Sequence, residues 1–150
     1  MKKFLCSLSL GLAVALAWSR TAMAVCTIST TPVSYGSYNV FSATPLDSTG
    51  TVTYRCGNEK NITITLNKGG AATFDPRQML NGSEALNYNL YQDAARTTIW
   101  GDGTGGTQVY SDANPPNNQN VTVNIFGRIP AGQDVTAGSY TNTITATINF

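Results

Sequence analysis

Few residues in this chain have the types and the spacing that catalysis requires. The sequence contains no histidine, so the Ser-His and Cys-His nucleophile pairs are excluded. One carboxylate pair remains, because Asp93 and Asp102 bracket Trp100, and glycosidases work with two carboxylates. Acidic side chains scattered on loops are usually solvated, however. We therefore expect no catalytic residue and no enzyme activity.

The glycine-rich and cysteine-containing stretches also lack the pattern of a cofactor or metal site. Residues 101–106 are not followed by the Lys-Ser/Thr pair of a phosphate-binding loop, and no helix is predicted after them. Asp102, the one carboxylate in this loop, provides too few oxygen ligands for calcium. Two cysteines without a histidine cannot complete the usual four-ligand zinc site. We expect no cofactor and no bound metal.

Residues 1–24 have the pattern of a secretory signal peptide. A basic start, an apolar run and a small-x-small cleavage site follow one another, at Lys2-Lys3, residues 4–17 and Ala22-Met23-Ala24. The apolar run is shorter than the roughly 20 residues of a membrane span, so we expect no membrane insertion. The sequence predicts a signal peptide over residues 1–24 and one mature domain over residues 25–150.

The mature chain retains two cysteines and a small negative charge. Cleavage after Ala24 removes Cys6 and leaves Cys26 and Cys56. In an exported protein such a pair favours a disulfide, and two reduced, buried thiols are the alternative. Six basic and eight acidic residues remain, a net charge of −2. Because this balance provides no basic surface, we expect no nucleic-acid partner.

Short alternating segments separated by turn residues run through the mature chain. Two successive runs predict a hairpin whose inward faces are Val52, Tyr54, Cys56 and Ile62, Ile64, Leu66. Residues 43–50, 75–77 and 127–138 carry proline, glycine or aspartate and predict loops or turns. Seven or eight short strands at roughly ten-residue spacing, with no helix, predict an all-β antiparallel sandwich.

The tyrosines of the predicted strands allow two interpretations. Five of them could line a ligand-binding face: Tyr35, Tyr38, Tyr88, Tyr91 and Tyr110. Tyrosines at strand positions more often pack half-buried with a solvated hydroxyl, so we favour packing.

The last segment, residues 139–150, alternates most regularly. One parity is polar, whereas the other is interrupted at Asn142 and otherwise apolar: Tyr140, Ile144, Ala146, Ile148 and Phe150. Because side chains alternate across a strand, this pattern predicts a long terminal strand with one apolar face. An ordinary closing strand and a strand that offers its apolar face to a partner would both show it, and the pattern leaves both open.

Several stretches of the mature chain resemble one known family when they are taken together. They are Cys26-Thr27-Ile28 with Tyr35-Gly36-Ser37-Tyr38, residues 45–56, residues 86–105, Gly127-Arg128-Ile129-Pro130-Ala131-Gly132-Gln133 and the terminal strand. As a set they resemble the spore coat protein U domain family, which includes the subunits of archaic (Csu-type) chaperone–usher pili.

This resemblance implies an immunoglobulin-like sandwich that lacks one strand. In that family a periplasmic chaperone lends the missing strand, a neighbouring pilus subunit then replaces it, and an outer-membrane usher exports the fibre. The physical basis is strand addition to an open sheet edge. For this chain the resemblance implies an acceptor groove lined partly by Tyr140, Ile144, Ala146, Ile148 and Phe150. It also implies secretion through the periplasm to the cell surface, with roles in adhesion and biofilm formation.

One departure from the family pattern concerns the donor segment. Fibre-forming members carry an alternating apolar segment before the first cysteine, whereas cleavage after Ala24 leaves only Val25 before Cys26. We therefore expect a tip or minor subunit, or a secreted relative that does not polymerise. The alternative is a self-sufficient envelope or spore-coat structural protein that needs no strand from a partner.

Overall fold

The structure, a computed structural model, describes residues 25–150, and the predicted signal peptide lies outside them. These residues form eight strands: β1 Cys26–Thr31, β2 Leu46–Cys56, β3 Ile62–Leu66, β4 Arg77–Asn81, β5 Glu84–Tyr91, β6 Tyr110–Asp112, β7 Val121–Ile129 and β8 Ala146–Asn149. They build one sheet in the order β1-β2-β7-β5-β4 and a second in the order β6-β3-β8. All the strand pairings are antiparallel. The predicted fold class, an immunoglobulin-like antiparallel sandwich, is confirmed.

The core lies between the inward faces of the two sheets. Val52, Tyr54 and Cys56 of β2 are buried together, as are Ile62, Ile64 and Leu66 of β3, which is what their alternation predicts. Trp100 lies at the centre with no exposed surface, and its indole N–H donates to the carbonyl of Ile64 at 2.9 Å. This bond joins the segment after β5 to the smaller sheet, so the largest core side chain also has a hydrogen-bond partner.

Two predicted loops belong partly to strands. Residues 46–50 belong to β2 and residues 127–129 to β7. The two segments pair with each other from Leu46↔Ile129 to Ser48↔Gly127, and the ladder continues through Gly50↔Ile125. The exposed ends of this ladder are joined by a bidentate pair, in which Arg128 donates to the two Asp47 oxygens at 2.8 and 2.9 Å. Proline and glycine marked these segments as loops, but each extension supplies the other with backbone partners.

The terminal strand is much shorter than its alternation predicts. Only Ala146–Asn149 form β8, since its partner β3 ends at Leu66, opposite Ala146. At the next residue the Asn67 side chain replaces a backbone acceptor of the ladder, because its Oδ1 accepts from the backbone N–H of Thr145 at 2.9 Å. Farther back, Thr141 and Leu80 exchange two backbone hydrogen bonds of 2.9 and 3.1 Å. Apart from the isolated bridge between Thr141 and Leu80, residues 139–145 therefore form no regular strand.

The residues the structure describes offer no membrane-spanning or metal-binding element. None of their segments forms a helix long and apolar enough to cross a bilayer. Within residues 25–150, no group of three or more His, Cys, Asp or Glu side chains is placed to hold a metal ion.

Candidate functional site

A groove runs between the terminal segment and the segment that follows β1. Its narrower section has a volume of about 170 Å³ and its wider section about 1050 Å³. The two sections share the lining residues Pro32, Val33, Tyr35 and Met79, so they form one depression, which we call the terminal groove. Among the described residues, no Asp, Glu, Lys or Arg lines either section. A ligand that fits it is therefore uncharged on the side it buries.

The structure brings three of the five predicted groove residues into this depression. Ile144 and Ala146 line the narrower section, and Tyr140 lines the wider one. Ile148 lines neither section and packs half-buried against the core. Phe150 also lines neither and is 59% exposed. The shared parity of the five residues thus places them on one face, but the groove ends before the last two.

The facing wall comes from residues 32–40, which have irregular backbone after β1. Val33 and Tyr35 turn their side chains inward over two glycines of the larger sheet. A Cβ at Gly50 would come within 2.9 Å of Val33 Cγ2, and one at Gly127 would collide with the Tyr35 hydroxyl. Only a residue without a side chain leaves room for this wall at each position.

Two tyrosines pack against each other and also line the groove. Tyr35 and Tyr88 meet edge to face with ring centroids 6.1 Å apart, and both line the narrower section. Burial raises the pKa of both phenols above the ordinary value, so the rings stay neutral. Both rings pack against each other while presenting ring surface to the groove, although only Tyr88 lies in a strand and Tyr35 lies in irregular backbone.

The backbone edge beside the groove is open. β8 is the last strand of its sheet and pairs only with β3 within residues 25–150. The N–H of Asn67 donates to the Thr145 carbonyl at 3.1 Å, so the backbone groups of Thr145 point toward β3. Because backbone groups of successive residues point to opposite edges, those of Ile144 and Ala146 point away from β3. The groove thus combines apolar side chains with an unpaired strand edge.

Asn142 is the one polar residue of the terminal segment that lines the narrower section. Its Nδ2 donates to the Tyr88 hydroxyl at 3.0 Å, and its Oδ1 accepts from Gly70 N at 3.5 Å. A Cβ at Gly69 would collide with the same side chain, and Gly69 has a φ of 62°. The Asn142 side chain is therefore held in place from two sides.

The two aspartates considered for catalysis form turns. Asp93 accepts hydrogen bonds from the backbone N–H groups of Thr97 and Thr98, and the bond from Thr97 does most to lower its pKa to about 2. The Thr104 hydroxyl donates to Asp102 and lowers the pKa of that carboxyl. Both groups are held ionised, whereas a general acid needs a raised pKa.

Cys26 and Cys56 form a disulfide between the paired strands β1 and β2. Cys56 is 1% exposed. The disulfide fixes the start of β1. This strand ends at Thr31, and the irregular wall of the groove follows it directly.

Replacing both cysteines with alanine should lower the melting temperature of the oxidised chain by about 10 °C. The bond closes a loop of sequence separation 30, for which the loss of unfolded-state entropy stabilises by about 3–4 kcal/mol. Differential scanning calorimetry with and without reductant measures the effect. A double variant that melts within about 2 °C of the oxidised wild type would contradict it.

Comparisons with known proteins give one family and a related fold. A family model described as the Spore Coat Protein U domain matches residues 12–147. "Protein U" of Myxococcus xanthus is 31% identical over 131 residues, which cover 79% of this chain and 71% of that protein.

Two solved structures are also similar. The first is the CsuC-CsuE chaperone-tip adhesion subunit pre-assembly complex from archaic chaperone-usher Csu pili of Acinetobacter baumannii, at 21% identity and a TM-score of 0.59. That match covers 85% of this chain and spans 40% of the length of the solved chain. The second is the E. coli Hda pilus minor tip subunit, HdaB, at 13% identity, a TM-score of 0.42 and coverages of 81% and 79%. With its low TM-score the second match adds no argument.

Proposed function

Because the chain belongs to the Spore Coat Protein U domain family, we propose that it is a secreted structural subunit of a chaperone–usher surface pilus. In this role it accepts a β-strand from a chaperone or from a neighbouring subunit. The sequence resemblance to the family is confirmed by the family model, which matches residues 12–147. The function itself rests on the terminal groove.

The observation that carries this proposal is an apolar groove beside an unpaired strand edge. A strand added along β8 would pair its backbone with that of Ile144 and Ala146 and bury apolar side chains between Val33, Tyr35 and Leu66. Strand addition of this kind draws affinity from main-chain hydrogen bonds and specificity from side-chain pockets. An open edge left without such a partner is an aggregation hazard. The geometry therefore favours a subunit that is completed by another chain.

The proposed partners are a periplasmic pilus chaperone, an outer-membrane usher and other pilus subunits. In support, the solved complex from Acinetobacter baumannii pairs a chaperone with a tip adhesion subunit. We place this chain at the tip or in a minor position, reached through the periplasm, where it serves adhesion and biofilm formation. The position rests on the predicted cleavage after Ala24. A mature N-terminus that starts well before Val25 would favour a shaft position.

A second candidate function is a self-sufficient envelope or spore-coat structural protein. The similarity to "Protein U" of Myxococcus xanthus favours it, as does the family's description. In this function β8 would need no additional strand. Both candidates are structural and secreted, and they differ in whether the folded chain is complete alone.

Unfolding of the exported, oxidised chain separates the two candidates. The full-length chain is expressed with and without its cognate chaperone, purified after export and heated. A strand-accepting subunit should aggregate or melt low alone, and its melting temperature should rise with bound chaperone or an apolar donor peptide, because both bind only the folded state. A lone chain that melts cooperatively at high temperature and is unaffected by either addition would favour the second candidate.

A further inference from the structure

We propose that Asn142 selects the register of the inserted strand by requiring a hydrogen-bonding side chain opposite it. This inference rests on the proposed strand-accepting function and specifies the partner. The inserted strand would carry apolar residues at its other inward positions and one uncharged polar residue, such as Thr, Ser or Asn, at this one.

The first argument is the position of Asn142 within an otherwise apolar wall. It lies on the parity of Ile144 and Ala146 and lines the narrower section beside Met79 and Leu90. A residue of this size on the inward parity would be aliphatic if the wall only excluded water. Thr30 and Thr31 of β1 also line this section, but among the lining residues of the terminal segment the amide is the single interruption of the apolar surface.

The second argument is the hydrogen-bonding capacity of the amide. An asparagine side chain has two donor hydrogens and two acceptor lone pairs. Within residues 25–150 one donor is used on Tyr88 and one acceptor site receives the long contact from Gly70. One donor and one acceptor site remain for water while the groove is open. An inserted strand that expels this water must supply a hydrogen-bonding group in its place. Otherwise the amide keeps one donor and one acceptor site without a hydrogen bond.

The third argument is that the amide cannot turn away from the groove. Gly69 lies against it on one side, and the Tyr88 hydroxyl holds Nδ2 on the other. Backbone hydrogen bonds along β8 alone would not distinguish registers that differ by two residues. A single polar position in an apolar seam distinguishes them, because every other register buries it against an aliphatic group.

A positional scan of donor peptides tests the inference on the exported, oxidised full-length chain. The probes are nine-residue peptides with valine at every inward position and lysine at both ends. Each inward valine is replaced in turn by threonine, which has the same shape. Fluorescence anisotropy gives the dissociation constants. We expect threonine to strengthen binding at one position by about tenfold and to weaken it at the others.

Two substitutions locate the effect. Asn142→Leu should abolish the preference for threonine and bind the all-valine peptide at least as well as the wild type does. Thr143→Leu, at an exposed neighbouring position, should retain the preference. Tyr88→Phe removes the hydroxyl that holds Nδ2 without changing ring size, so the preference for threonine should weaken, which provides a check if Asn142→Leu does not fold.

Three results would overturn the inference. Threonine could weaken binding at every position, or the positional preference could survive unchanged in Asn142→Leu. In either case the strand-accepting function would stand and the role of Asn142 would be removed. If no peptide binds the wild type and the cognate chaperone does not either, the proposed function fails, and this inference fails with it.

Discussion

Replacing Arg77 with methionine is expected to lower the free energy of unfolding by about 3–5 kcal/mol. Arg77 is completely buried and donates to the carbonyls of Asn67 and Trp100 at 3.1 and 2.6 Å. It also donates to Asn89 Oδ1 at 2.7 Å. Methionine keeps the length of the side chain but leaves the carbonyls of Asn67 and Trp100 without this donor, whereas Asn89 Oδ1 keeps the hydrogen bond from the Leu90 N–H at 3.0 Å. Burial lowers the pKa of the guanidinium, which means that it disfavours the charged form. The hydrogen bonds that the guanidinium donates are what favour arginine at this position.

The matched control is Arg55→Met, at an exposed position of β2. It removes the same charge from the same kind of strand but leaves no buried acceptor unpaired, so its effect should be within about 0.5 kcal/mol. Arg77→Lys should fall between the two, because one ammonium group cannot reach three acceptors in the planar arrangement of a guanidinium. Urea unfolding of the oxidised chain measures all three. An Arg77→Met variant as stable as Arg55→Met would contradict the argument.

Alternation was enough to predict an all-β antiparallel sandwich and most inward faces, whereas the immunoglobulin-like arrangement came from the family resemblance. Val52, Tyr54 and Cys56, and again Ile62, Ile64 and Leu66, are buried as their parity indicates. The turn residues gave a wrong prediction where hydrogen bonds to residues far along the chain determine the backbone conformation. Arg77 was assigned to a turn after Asp75-Pro76 but begins β4 and is buried, because its three acceptors come from other parts of the chain.

The terminal groove could be predicted only from one side. The parity of residues 139–150 put Tyr140, Ile144 and Ala146 on the face that lines the groove, but it did not indicate the point at which the groove ends. That a partner strand binds there stays a prediction. The opposite wall is irregular and depends on Gly50 and Gly127 in other strands. A glycine inside an alternating strand is a signal for close approach of another segment. That signal was present at both positions and was interpreted as loop punctuation.

Arg77 and the groove are connected through the β4–β5 hairpin. Arg77 lies opposite Tyr88 in the ladder, and Tyr88 holds Asn142 at the groove. The buried guanidinium therefore supports the strand that carries the hydrogen-bond partner of Asn142. In the proposed strand-accepting function, a chain with an open groove lacks part of the burial that a complete sandwich has. A strongly bonded interior beside the groove would then stabilise the lone chain before it binds a partner.

Enlarging Ala146 to leucine is expected to affect the lone chain and its complex in opposite directions. Ala146 is half-buried and lines the narrower section of about 170 Å³. Filling part of that section buries apolar surface and should stabilise the lone chain by about 1–2 kcal/mol. The same side chain occupies space that the proposed inserted strand needs, and overpacking of about 1–3 kcal/mol should weaken peptide or chaperone binding by about 5- to 150-fold.

Thr147→Leu adds a comparable side chain to the next residue of β8, whose side chain is exposed on the other face. It should leave binding of a donor peptide or of the chaperone unchanged. Thermal unfolding of the lone chain and anisotropy titration of the donor peptide give the two readouts for each variant. If Ala146→Leu stabilised the lone chain without weakening the binding of the donor peptide or of the chaperone, the inserted strand would lie elsewhere. Because a general loss of folding would lower both quantities together, only a strand that competes for this groove accounts for opposite signs.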